Sequence, residues 1–160
     1  MATLTEISGE SVADKFLIGN SLYTGLKIGK MRTLWGEFNG SNKYATLREY
    51  SEAAGYLVPA GKIFVMTSFN LVIVSGGSVG GYVSFGSGTA DAGQNSSSAP
   101  TGADTVDSRT AHLQTAATAE VAKSWLAKFK AGYYPFVFCS AGAGGVHVIG
   151  FEVNEDDEAL

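Results

Sequence analysis

One cysteine, two histidines and a scatter of acids are the residues of this 160-residue chain that could do nucleophilic, acid–base or metal chemistry. Cys139 and His147 fall in consecutive predicted strands, so a thiol–imidazole pair that activates a cysteine nucleophile is geometrically possible. Their surroundings argue for packing instead. Cys139 follows Phe136, Val137 and Phe138, where a thiol behaves as a small hydrophobe, and His147 among Val146, Val148 and Ile149 reads as a core-edge histidine. His112 stands 35 positions away, and neither histidine has a second ligand at i+2 or i+4, the spacing a metal site would use.

Three further groups bear on chemistry. Asp91, Asp104 and Asp107 share a polar segment and could collect calcium with backbone carbonyls, but their spacing matches no dedicated calcium loop and they read as solvated loop acids. The run Gly76-Gly77-Ser78-Val79-Gly80-Gly81 lacks the Lys-Ser/Thr ending of a phosphate loop and opens no helix, so it is turn chemistry. Tyr133 and Tyr134, with Trp125 and Tyr82, could form an aromatic platform for a sugar, although aromatics in a β-sandwich more often serve core or subunit contacts. No catalytic, cofactor-binding or metal-ligating residue is therefore assigned, and the expectation is a protein that is not an enzyme and needs no cofactor.

The elements that would hold these residues read as strands. Between Ile63 and Ala90 there is no charged residue, and 21 glycines against 3 prolines make the turns. Leu22–Ile28 alternates as a half-buried strand, Gly29-Lys30 turns, Met31–Phe38 follows, Gly40-Ser41-Asn42 is a loop, and Tyr44–Tyr50 is a further strand. Val58–Lys62 fits a type I turn with Pro59 second and Gly61 fourth. Lys62–Val74 should be a strand with Ile63, Val65, Thr67, Phe69, Leu71 and Ile73 as one core-facing row and a bend near Ser68 and Asn70. A hairpin at Ser75–Gly81 should return it through Gly81–Ser87.

Gly86–Asp107 has almost nothing large enough to bury, and at about twenty residues it is either mobile or ordered by a neighbour. The sequon Asn95-Ser96-Ser97 within it matters only in a secretory route. Arg109–Thr118 reads as a polar strand. Glu120–Lys130 fits helical spacing and alternation alike, and strand is chosen because its neighbours are strands. Pro135–Ser140 and Val146–Val153 should form a closing hairpin around Ala141–Gly145.

The whole predicts an all-β antiparallel sandwich, jelly-roll-like, over residues 21–153, with an N-terminal arm at 1–20 and an acidic tail at 154–160. Ser11–Phe16 could form one helical turn in the arm. Lys27, Lys30 and Arg32 should flank the Gly29 turn, and Glu152, Glu155, Asp156, Asp157 and Glu158 read as solvated acid. A formal charge of −4 with no basic face argues against nucleic acid. The apolar run at Ile63–Val74 falls short of the ~20 residues of a membrane span, and the first ten residues show no secretion signal. A single cysteine excludes an internal disulfide and fits synthesis in a reducing cytoplasm.

Two fragments, Tyr56-Leu57-Val58-Pro59-Ala60-Gly61-Lys62-Ile63-Phe64 and Phe129-Lys130-Ala131-Gly132-Tyr133-Tyr134-Pro135-Phe136-Val137, occur with Ser98-Ala99-Pro100-Thr101 between them and a closing Gly145-Val146-His147-Val148-Ile149-Gly150-Phe151-Glu152. Together they resemble the small β-sandwich structural proteins of tailed bacteriophages, over roughly Tyr56 to Val153. The resemblance implies a virion protein made in the host cytoplasm, a capsid decoration or cement protein that binds between coat subunits and reinforces the shell. Its implied partners are the major capsid protein and copies of itself, commonly as a trimer, with neither nucleic acid nor membrane. The alternative is a receptor- or carbohydrate-binding module of a tail fibre.

Overall fold

A computed structural model describes residues 17–18, 21–22, 28–77, 81–112 and 117–155. All regular structure in these segments is strand, apart from one 3₁₀ residue at Glu155. In chain order the strands are β1 (Leu17–Ile18), β2 (Ser21–Leu22), β3 (Ile28–Asn39), β4 (Lys43–Thr46), β5 (Arg48–Glu49), β6 (Lys62–Gly77), β7 (Tyr82–Gly88), β8 (Asp104–His112), β9 (Ala117–Phe129), β10 (Tyr134–Cys139) and β11 (Ala143–Asn154). β1, in the predicted arm, pairs with β2 just beyond the arm's expected end; the helical turn expected at 11–16 lies outside the described residues.

One sheet runs β4-β10-β7-β8 and the other β5-β3-β11-β6-β9, every pairing antiparallel. The order follows from a nested ribbon in which β3 pairs with β11, β4 with β10, β6 with β9 and β7 with β8. Folding that ribbon over brings β11 against β6 and β10 against β7. This is the jelly roll, with β5 added at one edge.

The same wrapping corrects several local expectations. Ser75–Gly81 does not close a hairpin, because β6 and β7 lie in different sheets; nor do β10 and β11 pair. Predicted strand Tyr44–Tyr50 divides at fully buried Leu47, where the chain passes from the β4 sheet to the β5 sheet. Leu47 N–H donates to Pro135 O, and its carbonyl accepts from Tyr56 N, so the corner loses no backbone hydrogen bond. The predicted Arg109–Thr118 strand is divided between the end of β8 and the start of β9, which lie in different sheets, with residues 113–116 outside the described residues, whereas the 119–130 segment is strand, as chosen. Gly29-Lys30 continues β3 rather than turning, and residues 23–27 of the first predicted strand lie outside the described residues. The Pro59 turn sits one residue later than expected. Lys62 N–H donates to Pro59 O, which puts Gly61 third with φ 71°, the position where a type II turn requires glycine.

The core lies between the sheets. Leu34, Phe38, Val146, Val148, Phe69 and Leu71 from one layer meet Ala45, Val83, Phe85, Val137 and Cys139 from the other, with the Phe69 and Phe85 rings 5.1 Å apart. Each valine, leucine or phenylalanine among them, fully buried, contributes about 1.5–3 kcal/mol.

The odd-numbered core row expected along β6 is broken. Pairing with β11 and with β9 slips at Thr67, so Phe64 and Met66 face the core before the irregularity and Phe69, Leu71 and Ile73 after it. Ile63 and Val65 turn to the outer face, where they pack with Val153 and Phe151. An extra residue in one strand reverses the facing of everything beyond it. The predicted bend near Ser68 is this bulge.

Residues 89–103 are ordered by their own chain rather than by a neighbour. Tyr44 and Ser96 exchange backbone hydrogen bonds at 2.8 Å, Thr46 N–H donates to Gly93 O, and Asn95 N–H donates to Glu37 O, so the segment lies along the outer edge of β4. Such cover protects an edge that would otherwise invite pairing.

Candidate interaction surface on the five-stranded sheet

The candidate chemistry groups are dispersed by the fold. Cys139 is buried in the four-stranded sheet with its Sγ donating to Ala141 O at 3.3 Å, and burial pushes its thiol up to about 11. His147 stands exposed on the outer face of the other sheet, so the thiol–imidazole pair does not form and the core-edge reading of His147 is corrected. His112 lies on β8 opposite Tyr82.

The Asp91 carboxylate accepts from the Gly55 and Gly93 N–H groups, each at 2.7 Å. Burial alone would raise its pKa; those two donors, the Thr46 hydroxyl and the Arg48 charge hold it below the ordinary value. Asp104 and Asp107 belong to β8, and among the described residues no three His, Cys, Asp or Glu side chains are grouped to hold a metal. Tyr82 and Trp125 sit in opposite sheets, so the proposed aromatic platform is not assembled. Tyr133 is covered by the Lys130 ammonium at 4.6 Å, and Tyr82 packs 5.8 Å from Phe138.

What the fold does assemble is a cross-strand row on the outward face of the five-stranded sheet. Arg48, Trp35, His147, Asn70 and Ala122 are successive partners across β5, β3, β11, β6 and β9. Directly opposed residues share a face, so these side chains line up. The Arg48 guanidinium lies 4.3 Å over the Trp35 ring, and Tyr50 stands 6.0 Å from the same ring. Trp35 Nε1, Arg48 Nε and Asn70 Oδ1 are buried without a hydrogen-bond partner, three unmatched polar atoms in one row.

Above this row lies a trough of about 700 Å³. Gly144 and Gly145 on β11 form its floor, with Glu37 and Asn39 of β3 and Asn95 on one side and Val72 and Val74 of β6 on the other. Only glycine fits at 144, since a Cβ there would stand 1.9 Å from Val72 O. Below the row the surface turns apolar, with Met31 61%, Leu126 62% and Ile149 42% exposed.

On the inner face, at the sheet's lower end, an ionic cluster closes the sandwich. Glu152, expected to be solvated, is buried: it accepts from Arg32 Nε at 2.6 Å and from the Tyr56 hydroxyl at 3.0 Å. Arg32, expected beside a turn, also pairs with Glu49. Burial opposes ionisation of Glu152, but the hydrogen bonds from Arg32 and Tyr56 and the Arg32 and Lys30 charges hold its pKa below the usual carboxylate value. The cluster thus joins β3, β5 and β11 through side-chain contacts.

Sequence reasoning missed the outer row because its members come from five separate strands and only register aligns them. Gly144-Gly145, expected in the Ala141–Gly145 loop, lies inside β11, where glycine marks close approach of another backbone. Comparison with protein-family models, curated proteins and solved structures finds no match.

Proposed function

We propose that this chain is a structural protein of a bacteriophage virion, a capsid decoration or cement protein that binds between coat subunits and to copies of itself. The observation that carries the reading is the apolar lower half of the outer sheet face, where Met31, Leu126 and Ile149 project from three strands of one rigid layer. Lone exposed hydrophobics are ordinary, but three on one sheet face beside partly buried Phe151 make a patch suited to burial against a partner. The phage-like turn fragments quoted above support the same class.

The mechanism is adhesive. A stable contact covers about 800 Å² on each partner, and a trimer engaging three equivalent lattice points gains avidity without needing a deep pocket. Covering aliphatic side chains on a preformed sheet orders few flexible groups, so little of the contact energy is lost to entropy.

The test is cosedimentation of the purified chain with coat-protein shells, with cryo-electron microscopy to locate it. Wild type should decorate the shell, and Leu126→Lys with Ile149→Lys should abolish decoration while leaving the fold intact. Undiminished binding by the double variant removes this face from the mechanism, and binding to no virion component removes the reading.

A further inference from the structure

We propose that the trough at the upper end of the same face is a binding site for a neutral carbohydrate. Its volume of about 700 Å³ falls within the ~300–1,000 Å³ of small-molecule sites.

The geometry fixes the chemistry. Gln94 Oε1 accepts from Glu37 N–H, and Asn95 Oδ1 accepts from Asn39 N–H at 2.6 Å, so the polar wall is tied to the sheet and preorganised. Those bonds occupy backbone donors and side-chain oxygens. They leave the Glu37 carboxylate, the Asn39 side-chain amide, the Asn95 amide nitrogen and the His147 ring without partners among the described residues, all lining one depression. The set holds an acceptor, a donor and two groups able to do both. Across the trough, Val72 and Val74 present a strip of hydrocarbon.

A sugar ring matches this pattern. Its hydroxyls both donate and accept, and its C–H face can lie on the valines while its hydroxyl edge meets the amides. Glu37 is the one formally charged residue in the lining, so sialylated or phosphorylated sugars are disfavoured. A bare ammonium would use Glu37 alone and leave the amides unmatched. The site lies above the His147 row and the apolar patch below it, so the inference does not depend on virion attachment.

The test uses the full chain and a panel of immobilised neutral tetrasaccharides ending in glucose, galactose or N-acetylglucosamine, with sialylated counterparts. At least one neutral class should bind and perturb the Gly144 and Gly145 amide resonances. Glu37→Ala and His147→Ala should each weaken it by tenfold or more, with Tyr133→Ala unchanged. Unaltered melting temperatures would confirm that both trough variants fold. The proposal is overturned if no neutral sugar binds, if the trough variants bind as well as wild type, if sialylated sugars are preferred, or if the Gly144 and Gly145 amides do not respond to the bound sugar.

Discussion

Arg32 on β3 and Glu152 on β11 meet on the inner face of the sandwich, Nε 2.6 Å from a carboxylate oxygen, although 120 positions separate them in the chain. Tyr56 donates to the same oxygen and lies 5.5 Å from the Arg32 guanidinium, while Glu49 engages the other side of that guanidinium. The cluster therefore ties β3, β5, β11 and the segment before β6 at the end of the molecule where the apolar core stops.

Glu152→Gln should destabilise the protein. Breaking a fully buried pair typically costs about 3–5 kcal/mol because the surviving charge is left uncompensated. Here the side chains keep 17% and 9% exposure, and Glu49 still faces Arg32, so about 2 kcal/mol is expected, a fall of roughly 4–8 °C in Tm. Tyr56→Phe keeps the ring against Phe64 and loses one hydrogen bond, about 1 kcal/mol. Urea titrations of both variants measure these losses, and equal stability in Glu152→Gln and wild type would show the cluster to be dispensable.

Acid should remove the same stabilisation. The folded-state pKa values of Glu152 and Asp91 lie below their ordinary values of 4.5 and 3.8, so the folded state binds the proton less readily than the unfolded chain. The stabilisation is present above pH ~4.5 and is lost as pH falls through the folded values. The stability gap between wild type and Glu152→Gln should thus be constant from pH 6 to 8 and shrink steadily below pH 4.5. A gap that widens in acid would reverse the sign of this argument.

The strands themselves were legible in the sequence, because alternation and glycine turns are local signals; strand partners were not. β6 and β7, like β10 and β11, are neighbours in sequence and belong to opposite layers, since the nested ribbon pairs β6 with β9 and β10 with β4. Glu152 read as part of an acidic tail because its partner Arg32 comes from the opposite end of the chain. The bulge was half legible: polar Ser68 and Asn70 marked a bend in β6, but nothing in Met66-Thr67-Ser68 announces that the facing reverses there. Of the outer face nothing was legible, since the glycines at 144 and 145 read as loop and lie in β11.

That reversal can be tested by truncation. Phe64→Ala should cost about 3–5 kcal/mol and Met66→Ala about 2–5 kcal/mol, the range for emptying a buried site, since both are fully buried in the main core. Thr67→Ala should cost about 1 kcal/mol or less, because its hydroxyl makes one exposed bond, to Ile149 O at 3.2 Å. An unbroken odd-numbered core row would make Phe64 and Met66 the tolerant positions and Thr67 the sensitive one. Thermal melts of the three variants distinguish the two arrangements.

Asp91 anchors the long segment between β7 and β8. Its two oxygens take the Gly55 and Gly93 N–H groups, and Gly93 O in turn accepts from Thr46 on the edge of β4. Asp91→Ala orphans both donors at once. Because charge-assisted hydrogen bonds contribute about 1.5–3 kcal/mol each and water can replace part of the loss at this exposed position, the net cost should be about 1–2 kcal/mol. Its distribution matters more than its size. Hydrogen exchange should quicken at Gly55, Gly93 and Thr46 while Val83 and Val137, deep in the same sheet, keep their protection, since an edge segment can open without the core. Exchange that accelerated uniformly would mean that residues 89–103 are bound into the global folding unit and do not open separately.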